Sequence, residues 1–288
     1  MLPHRWLRPC PGHTLFVLPW LLLLFSAPAA ADAACADFTG ETSEWHGFKR
    51  VDFRFQGRKA HVVLPSEPLP DRPWIWRARF PNHQTAPDLM LLERGFHVAH
   101  VDGVHLYGGP EAQALWDAFY AQLTGRHCLA PKPGLVAVSR GGLFAYTWAA
   151  RHPERVACIY ADTPVLDFKS WPAGRGAGKG APADWTRLRK VYGLSRREAL
   201  RYDGNPIDRL APLAEADIPL LNVISLNDAV VPPAENTLLL VERYRALGGR
   251  IDVISVPEGT TESDGHHFPH PDPAQVAEFL AGCAAAAD

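Results

Sequence analysis

A mostly parallel α/β sheet with helices on both faces and an antiparallel hairpin at its start is the fold class this sequence predicts. Three observations predict it. Strand-like and helix-like runs alternate from about residue 73 onward, the later strands are apolar throughout, and two alternating runs joined by a glycine precede them. Continuous apolar strands separated by helices signal a parallel sheet covered on both sides. The 288 residues, 47% of them hydrophobic, suffice for one large core of about 250 residues once a leader is set aside.

That leader is the first element. Residues 15–25 (LFVLPWLLLLF) are apolar, follow Arg5 and Arg8, and lead into the small residues SAPAAADAA. A basic start, a short apolar run and an A-x-A exit describe a secretory signal peptide. The run is short of the about 20 residues a membrane span needs. We expect a signal peptide over residues 1–31, a single domain over 36–284, and an exported protein with no stable membrane span. Taking Arg5 and Arg8 from 29 basic residues leaves 27 against 31 acidic ones, a net of −4. With no basic stripe, nucleic acid is not an expected partner. Four cysteines remain beyond the leader. Cys158 lies in the apolar run VACIYAD and reads as a buried thiol; the expected bond is Cys35–Cys283, tying the two ends of the domain.

The elements follow in order. Residues 50–55 (RVDFRF) and 59–64 (KAHVVL) flank Gln56-Gly57 and read as a hairpin. Residues 73–80 (PWIWRARF) form the third strand, 86–94 a helix ended by Gly95, and 96–101 (FHVAHV) a strand. Residues 110–124 carry Leu115, Phe119 and Leu123 at helical spacing. Strands at 134–138 and 156–161 enclose a helix at 141–152. Residues 163–214 break the rhythm with a Gly/Ala/Lys loop and read as a lid-like insertion containing a helix at 185–192. The pattern resumes with a strand at 218–226, a helix at 234–247, a strand at 251–256 and a helix at 272–281. No internal repeat or inter-domain linker appears.

The chemistry centres on residues 135–150 (LVAVSRGGLFAYTWAA), where an apolar strand runs into Ser139 and a helix starts behind it. A nucleophile elbow needs this context, with small residues flanking the serine to relieve backbone crowding. Ala137 and Gly141 meet that demand, Gly142 adds room, and Ala137 stands where glycine is usual. Small-x-Ser-x-Gly is a loose pattern; Ser263 in TESDG also fits it, but neither follows a strand nor opens a helix.

Such a serine needs a base and an acid, in the chain order Ser, Asp or Glu, His. Asp228 follows the strand at 218–226, at the carboxyl edge where open α/β sheets gather their sites; Asp162 is the other candidate. His266 and His267 share a Gly-containing loop after the last strand, and His266, directly behind Gly265, is the preferred base. Metal ligation by His266, His267 and His270 is the competing reading. All three lie on one irregular loop, without the helix-borne carboxylate–histidine motif of metal hydrolases.

VSRGG (residues 138–142), NDAVVPP (227–233) and DGHHFPH (264–270) together make residues 73–280 resemble the α/β-hydrolase superfamily, most nearly exported bacterial esterases and prolyl-oligopeptidase-like hydrolases. The resemblance implies an α/β-hydrolase fold, Ser139 as nucleophile, Asp228 as acid and His266 as base, with no cofactor. It also implies an oxyanion hole made by the backbone N–H of Arg140 and a second N–H within residues 78–80, for which Arg79 is expected. The superfamily's lipases often carry His-Gly-Gly there, whereas this chain has Ala78-Arg79-Phe80. The reaction implied is hydrolysis of a carboxylic ester through an acyl-enzyme; a peptidase or a non-catalytic binding protein on the same fold are the alternatives. Trp171, Trp185, Lys169, Arg175, Lys179 and Arg187 in the insertion, with Trp74, Trp76, Arg77 and Arg79 on the third strand, suggest a small-molecule or carbohydrate ester as substrate. Packing of the tryptophans in the core is the opposing reading.

Overall fold

The computed structural model describes residues 35–285 and, apart from them, only Met1. The leader expected over residues 1–31 otherwise lies outside the described residues.

Nine strands form one sheet: β1 (Glu41–Trp45), β2 (Phe48–Phe55), β3 (Arg58–Leu64), β4 (Trp74–Arg77), β5 (His97–Val101), β6 (Gly134–Val138), β7 (Cys158–Asp162), β8 (Leu220–Ser225) and β9 (Ile251–Val256). Their order is β1-β2-β3-β5-β4-β6-β7-β8-β9. Pairings from β1 to β3, and of β3 with β5, are antiparallel; all others are parallel. The helices are α1 (Ala86–Glu93), α2 (Pro110–Ala121), α3 (Gly142–Arg151), α4 (Pro182–Tyr192), α5 (Arg196–Arg201), α6 (Ala211–Glu215), α7 (Thr237–Ala246) and α8 (Pro273–Ala285). Between β7 and β8 the chain carries α4, α5 and α6. No helix among the described residues is long and apolar enough to cross a membrane.

The apolar strands are explained by two cores. Along β6, Leu135 and Ala137 join one core, with residues of α2, α3 and α7, while Val136 and Val138 join the other, with residues of α1 and α8. Successive strand residues point to opposite faces, so a strand buried on both must be apolar at every position. On β4 the same alternation sends Trp74 and Trp76 into the first core and Ile75 into the second. Trp76 stacks on Trp116 with ring centroids 4.0 Å apart and meets Trp148 at 5.3 Å. Both β4 tryptophans are therefore core residues rather than walls of a site mouth. Arg77 is likewise buried, in an ion pair with Asp88.

The hairpin turns at Gln56 (φ 46°) and Gly57 (φ 76°), the doubly positive pattern of a type I′ turn. β1 was not expected: ETSEW is exposed over its first four residues and has no apolar alternation to betray a strand. β4 stops at Arg77, three residues short of the run predicted over 73–80. Beyond it only Ala78 stays bonded to the sheet, through Val136 O at 2.9 Å, and Phe80 turns into the left-handed region (φ 52°).

The expected Cys35–Cys283 bond is corrected. Cys35 pairs with Cys128, and Cys158 and Cys283 are buried free thiols. The irregular segment carrying Cys35 is held near α2's end, where Ala36 N–H donates to Arg126 O at 2.9 Å, while Cys283 lies in the α1–α8 core. The bond closes a loop of 93 residues, so Cys128→Ser should lower unfolding free energy by about 2–4 kcal/mol. Denaturant titration measures this; an unchanged midpoint would contradict it.

Candidate active site

Ser139 follows the last residue of β6 directly, with φ 49°. A β-carbon in that conformation costs about 1–3 kcal/mol and persists only where surroundings enforce it. The enforcement is visible. Val165 N–H donates to the Ser139 carbonyl at 2.9 Å, and α3 packs close behind. A Cβ on Gly142 would lie 2.5 Å from Val165 O, whereas one on Gly141 would come no nearer than 3.4 Å to Ala78. The steric demand therefore falls hardest on Gly142, where sequence reasoning placed it on Gly141.

Asp228 lies past the end of β8 in a turn that its own carboxylate organises. Its Oδ1 accepts from Val230 N–H and Val231 N–H, both at 2.8 Å, leaving Oδ2 for His266 Nδ1–H at 2.7 Å. The acid loop and the histidine loop are tied together. Asn227 Oδ1 accepts from Gly259 N–H (2.8 Å), and Ala229 N–H donates to Asp264 O (2.9 Å). Gly265 (φ 81°) passes so close to Asn227 that a Cβ would meet its carbonyl oxygen at 2.4 Å. With Nδ1–H held by Asp228, His266 presents Nε2 as acceptor, and the Ser139 hydroxyl donates to it at 3.0 Å. The Asp228 side chain is fully buried and that of His266 nearly so.

The structure thus brings Ser139, His266 and Asp228 into one hydrogen-bonded chain. A hydroxyl whose proton can pass to an imidazole oriented by a carboxylate is set up to become a nucleophile. His267 makes no such bond. Its exposed ring lies 5.1 Å from that of His266 and 5.2 Å from that of His83. His270 Nε2 is 2.9 Å from Tyr160 Oη instead. The Lys169 ammonium lies near Asp167 and Asp208, and Lys179 pairs with Asp264. Trp185 packs on Phe168, and only Trp171 of the aromatic candidates reaches the cavity.

A cavity of about 280 Å³ opens over Ser139, walled by Phe80, His83, Arg140, Trp171, Val230 and His267. Arg140 spans it. Its guanidinium lies 5.5 Å from the Phe80 ring and 5.9 Å from Trp171, and pairs with Asp184 at 3.2 Å. Arg79 lies beside the serine turn, its backbone nitrogen 3.6 Å from where a Gly141 Cβ would stand. Among the described residues that N–H donates to no protein acceptor. The loop presenting it is organised from beneath by Arg77. This buried guanidinium bonds both Asp88 oxygens and donates to the carbonyls of Phe80 (3.1 Å), His83 (2.8 Å) and Gln84 (3.1 Å). Gln84 Nε2 then donates to Phe268 O at 2.6 Å, linking this loop to the histidine loop. Sequence reasoning missed His83 and Phe80 as cavity walls; they lie in an irregular loop without motif, and Arg77, the residue that shapes the loop, read as a strand residue.

Asp162, the other acid candidate, ends β7 in register with Val138. It is buried, its Oδ2 lacks a hydrogen-bond partner, and His83 Nε2 is 3.8 Å away. Burial raises its carboxyl to about 7, with the His266 ring pulling the other way.

No protein-family model and no curated protein sequence matches the chain. Solved structures do. A mutant puromycin hydrolase in complex with PGG superposes with a TM-score of 0.61 at 19% identity, covering 83% of this chain and 39% of that one. Mycobacterium tuberculosis MPT51 gives 0.59 at 16% identity, covering 84% of this chain and 99% of its own. Pyrococcus horikoshii acylaminoacyl peptidase gives 0.60 at 16% identity, covering 81% of this chain and 41% of the peptidase. These proteins share one architecture. The chain has the α/β-hydrolase fold. It spans about two fifths of the length of the puromycin hydrolase and of the acylaminoacyl peptidase.

Asp162 has a signature in the α/β-hydrolase sheet that does not depend on activity. Its raised value means that its contribution to stability is present below about pH 3.8, its ordinary value, and is lost as pH rises toward about 7. Burial holds His61 at about 3 and His83, His97 and His100 at about 4. Their contributions have the opposite sign: present above about 6.5 and lost as pH falls toward 4. Asp162→Asn should therefore steepen the rise of thermal stability between about pH 4 and 7, gaining most over wild type at the neutral end. A difference between the two proteins that stays flat with pH would contradict this.

Proposed function

We propose that the protein is a serine hydrolase that cleaves carboxylic esters through an acyl-enzyme. The observation that carries the reading is the continuous Ser139–His266–Asp228 hydrogen-bonded chain at the mouth of a cavity, on a strand-to-helix turn with positive φ. In the first step His266 Nε2 takes the Ser139 proton as Oγ attacks the acyl carbonyl. The Arg140 and Arg79 backbone N–H groups face the developing oxyanion, each such donor being worth about 10²–10³ in rate. The imidazolium, stabilised by Asp228, then protonates the leaving group, and water repeats the route to release the acid.

The size of the cavity favours a small acyl group. At about 280 Å³ it sits just below the range of about 300–1,000 Å³ that holds drug-sized ligands. Phe80, Trp171 and Val230 supply apolar walls for such a group. A peptidase reading draws on the acylaminoacyl peptidase among the superposed structures, and the two readings part on substrate. With short 4-nitrophenyl esters against peptide 4-nitroanilides, we expect ester turnover. Ser139→Ala should abolish it and Asp228→Asn should lower kcat by about 10⁴. Anilide cleavage without ester cleavage would favour the peptidase. Ester turnover that survives Ser139→Ala would remove the proposal.

The site of action is proposed to lie outside the cytoplasm. The apolar run at residues 15–25 and the Cys35–Cys128 bond support this. Expression with the full leader should yield a protein whose N-terminus begins after Ala31 or Ala33; intact protein retained in the cytoplasm would contradict it.

A further inference from the structure

Phe80 belongs to two cavities. One holds Ser139; the other, also about 280 Å³, is lined by Arg50, Asp52, Lys59, Arg79, Asn82 and Asp102, with His61 and His100 at its back. The second lies between β2, β3 and the loop after β4, and the reaction scheme above gives it no role. Its charges are not balanced. Three cationic side chains face two carboxylates, and those carboxylates are largely committed. Arg50 holds both oxygens of Asp52, at 2.6 and 2.8 Å. Asp102 Oδ1 accepts Val104 N–H at 2.9 Å and one Arg79 donor at 3.1 Å. Lys59 makes no ion pair among the described residues.

Arg79 is the most enclosed of the three cations, only 9% exposed: one Nη donates to Asp102 at 3.1 Å, and its Nε, shielded from solvent, has no hydrogen-bond partner. A guanidinium in a partly enclosed cavity is a strong, geometrically selective partner for a carboxylate. Burial and then the nearby Arg140 cation act against the Arg79 charge, and Asp102 and Tyr107 offset them only in part. His61 and His100 are held neutral by burial, and His100 Nδ1–H is spent on the Arg77 carbonyl at 2.8 Å. The cavity lining therefore carries one more cation than carboxylate, with Arg79 enclosed beside Phe80.

We propose that this cavity is an anion subsite, in which Arg79 and Lys59 hold a carboxylate carried by the substrate across Phe80 from Ser139. The proposal rests on the hydrolase reading above and adds the substrate class: esters bearing a carboxylate, on the acyl or the leaving-group side. Arg79 and its neighbour in the serine turn, Arg140, both stack on Phe80, at 5.0 and 5.5 Å. The ring is thus the hinge between the acyl cavity and the subsite. Its left-handed backbone (φ 52°) is fixed by the Arg77 bond to its carbonyl.

The test is a ratio of kcat/KM for anionic over neutral esters. Mono-4-nitrophenyl glutarate is compared with 4-nitrophenyl butyrate, and 3-acetoxy-4-nitrobenzoate with 2-nitrophenyl acetate, which places the carboxylate on either side of the scissile bond. At least one pair should show a preference of about tenfold or more in wild type, the scale of one charge-assisted hydrogen bond. Arg79→Gln should remove it, Arg79→Lys should restore part, and Lys59→Gln should reduce it. Asp102→Asn should raise it, because Arg79 loses its competing carboxylate. Opposite shifts from Arg79→Gln and Asp102→Asn are not what general loosening of the loop produces. Binding of glutarate to Ser139→Ala protein, with and without Arg79→Gln, reads the subsite without turnover. Neutral esters cleaved with no anionic preference, and no Arg79-dependent glutarate binding, overturn the subsite and leave the hydrolase reading standing. Glutarate binding without turnover of any ester leaves the subsite and removes the hydrolase reading.

Discussion

A serine at positive φ, wedged between a buried strand and the first turn of a helix, is the constraint on which the site depends. Ser139 cannot relax to an ordinary conformation without swinging its hydroxyl off the carboxyl edge of the sheet. Two features keep it there: β6 is pinned on both faces by apolar packing, and α3 is pressed against the Val165 carbonyl at Gly142, where a Cβ would not fit. Strain of about 1–3 kcal/mol is small against the burial of Leu135, Val136, Ala137 and Val138. The hydroxyl is thereby raised toward an imidazole that arrives from 127 residues further along the chain.

Around that fixed point, polar groups buried in the sheet edge do the aligning. Asp228 spends one carboxylate oxygen on its own turn and the other on His266, so the carboxylate that orients the imidazole is itself held by backbone. Arg77 does the same for the opposite wall. A guanidinium removed from water is costly unless its donors are met, and for Arg77 the acceptors are Asp88 and three carbonyls of the loop that carries the Arg79 N–H, Phe80 and His83. The β4 loop is therefore shaped by a buried charge rather than by glycines. Ala78-Arg79-Phe80 can thus occupy the place where a His-Gly-Gly run stands in lipases of the superfamily that the sequence resembles.

Much of this was legible in the residues. The strand ending at Val138 was clear because burial on both faces demands an unbroken apolar run, and Asp228 was found because it follows another such strand. His266 and His267 are adjacent, and only the tight pass of Gly265 beside Asn227 decides which ring points inward. Trp74 and Trp76 misled for a physical reason: residues two apart on a strand share a face, and that face turned out to be the helix-covered one. Cys35 found Cys128 rather than Cys283 because the path of the chain after α2, not sequence distance, decides which sulfurs meet. β1 lacks the apolar alternation that marks a strand, since it is an exposed edge.

The central claim is that Ser139 is the nucleophile of an acyl transfer. Its most direct measurement is the site of covalent capture: the folded protein is treated with a fluorophosphonate, digested, and the modified peptide sequenced by mass spectrometry. One adduct is expected, on the Ser139 hydroxyl, formed slowly or not at all in His266→Ala protein. Modification of a different residue, or none on protein that is demonstrably folded, would contradict it.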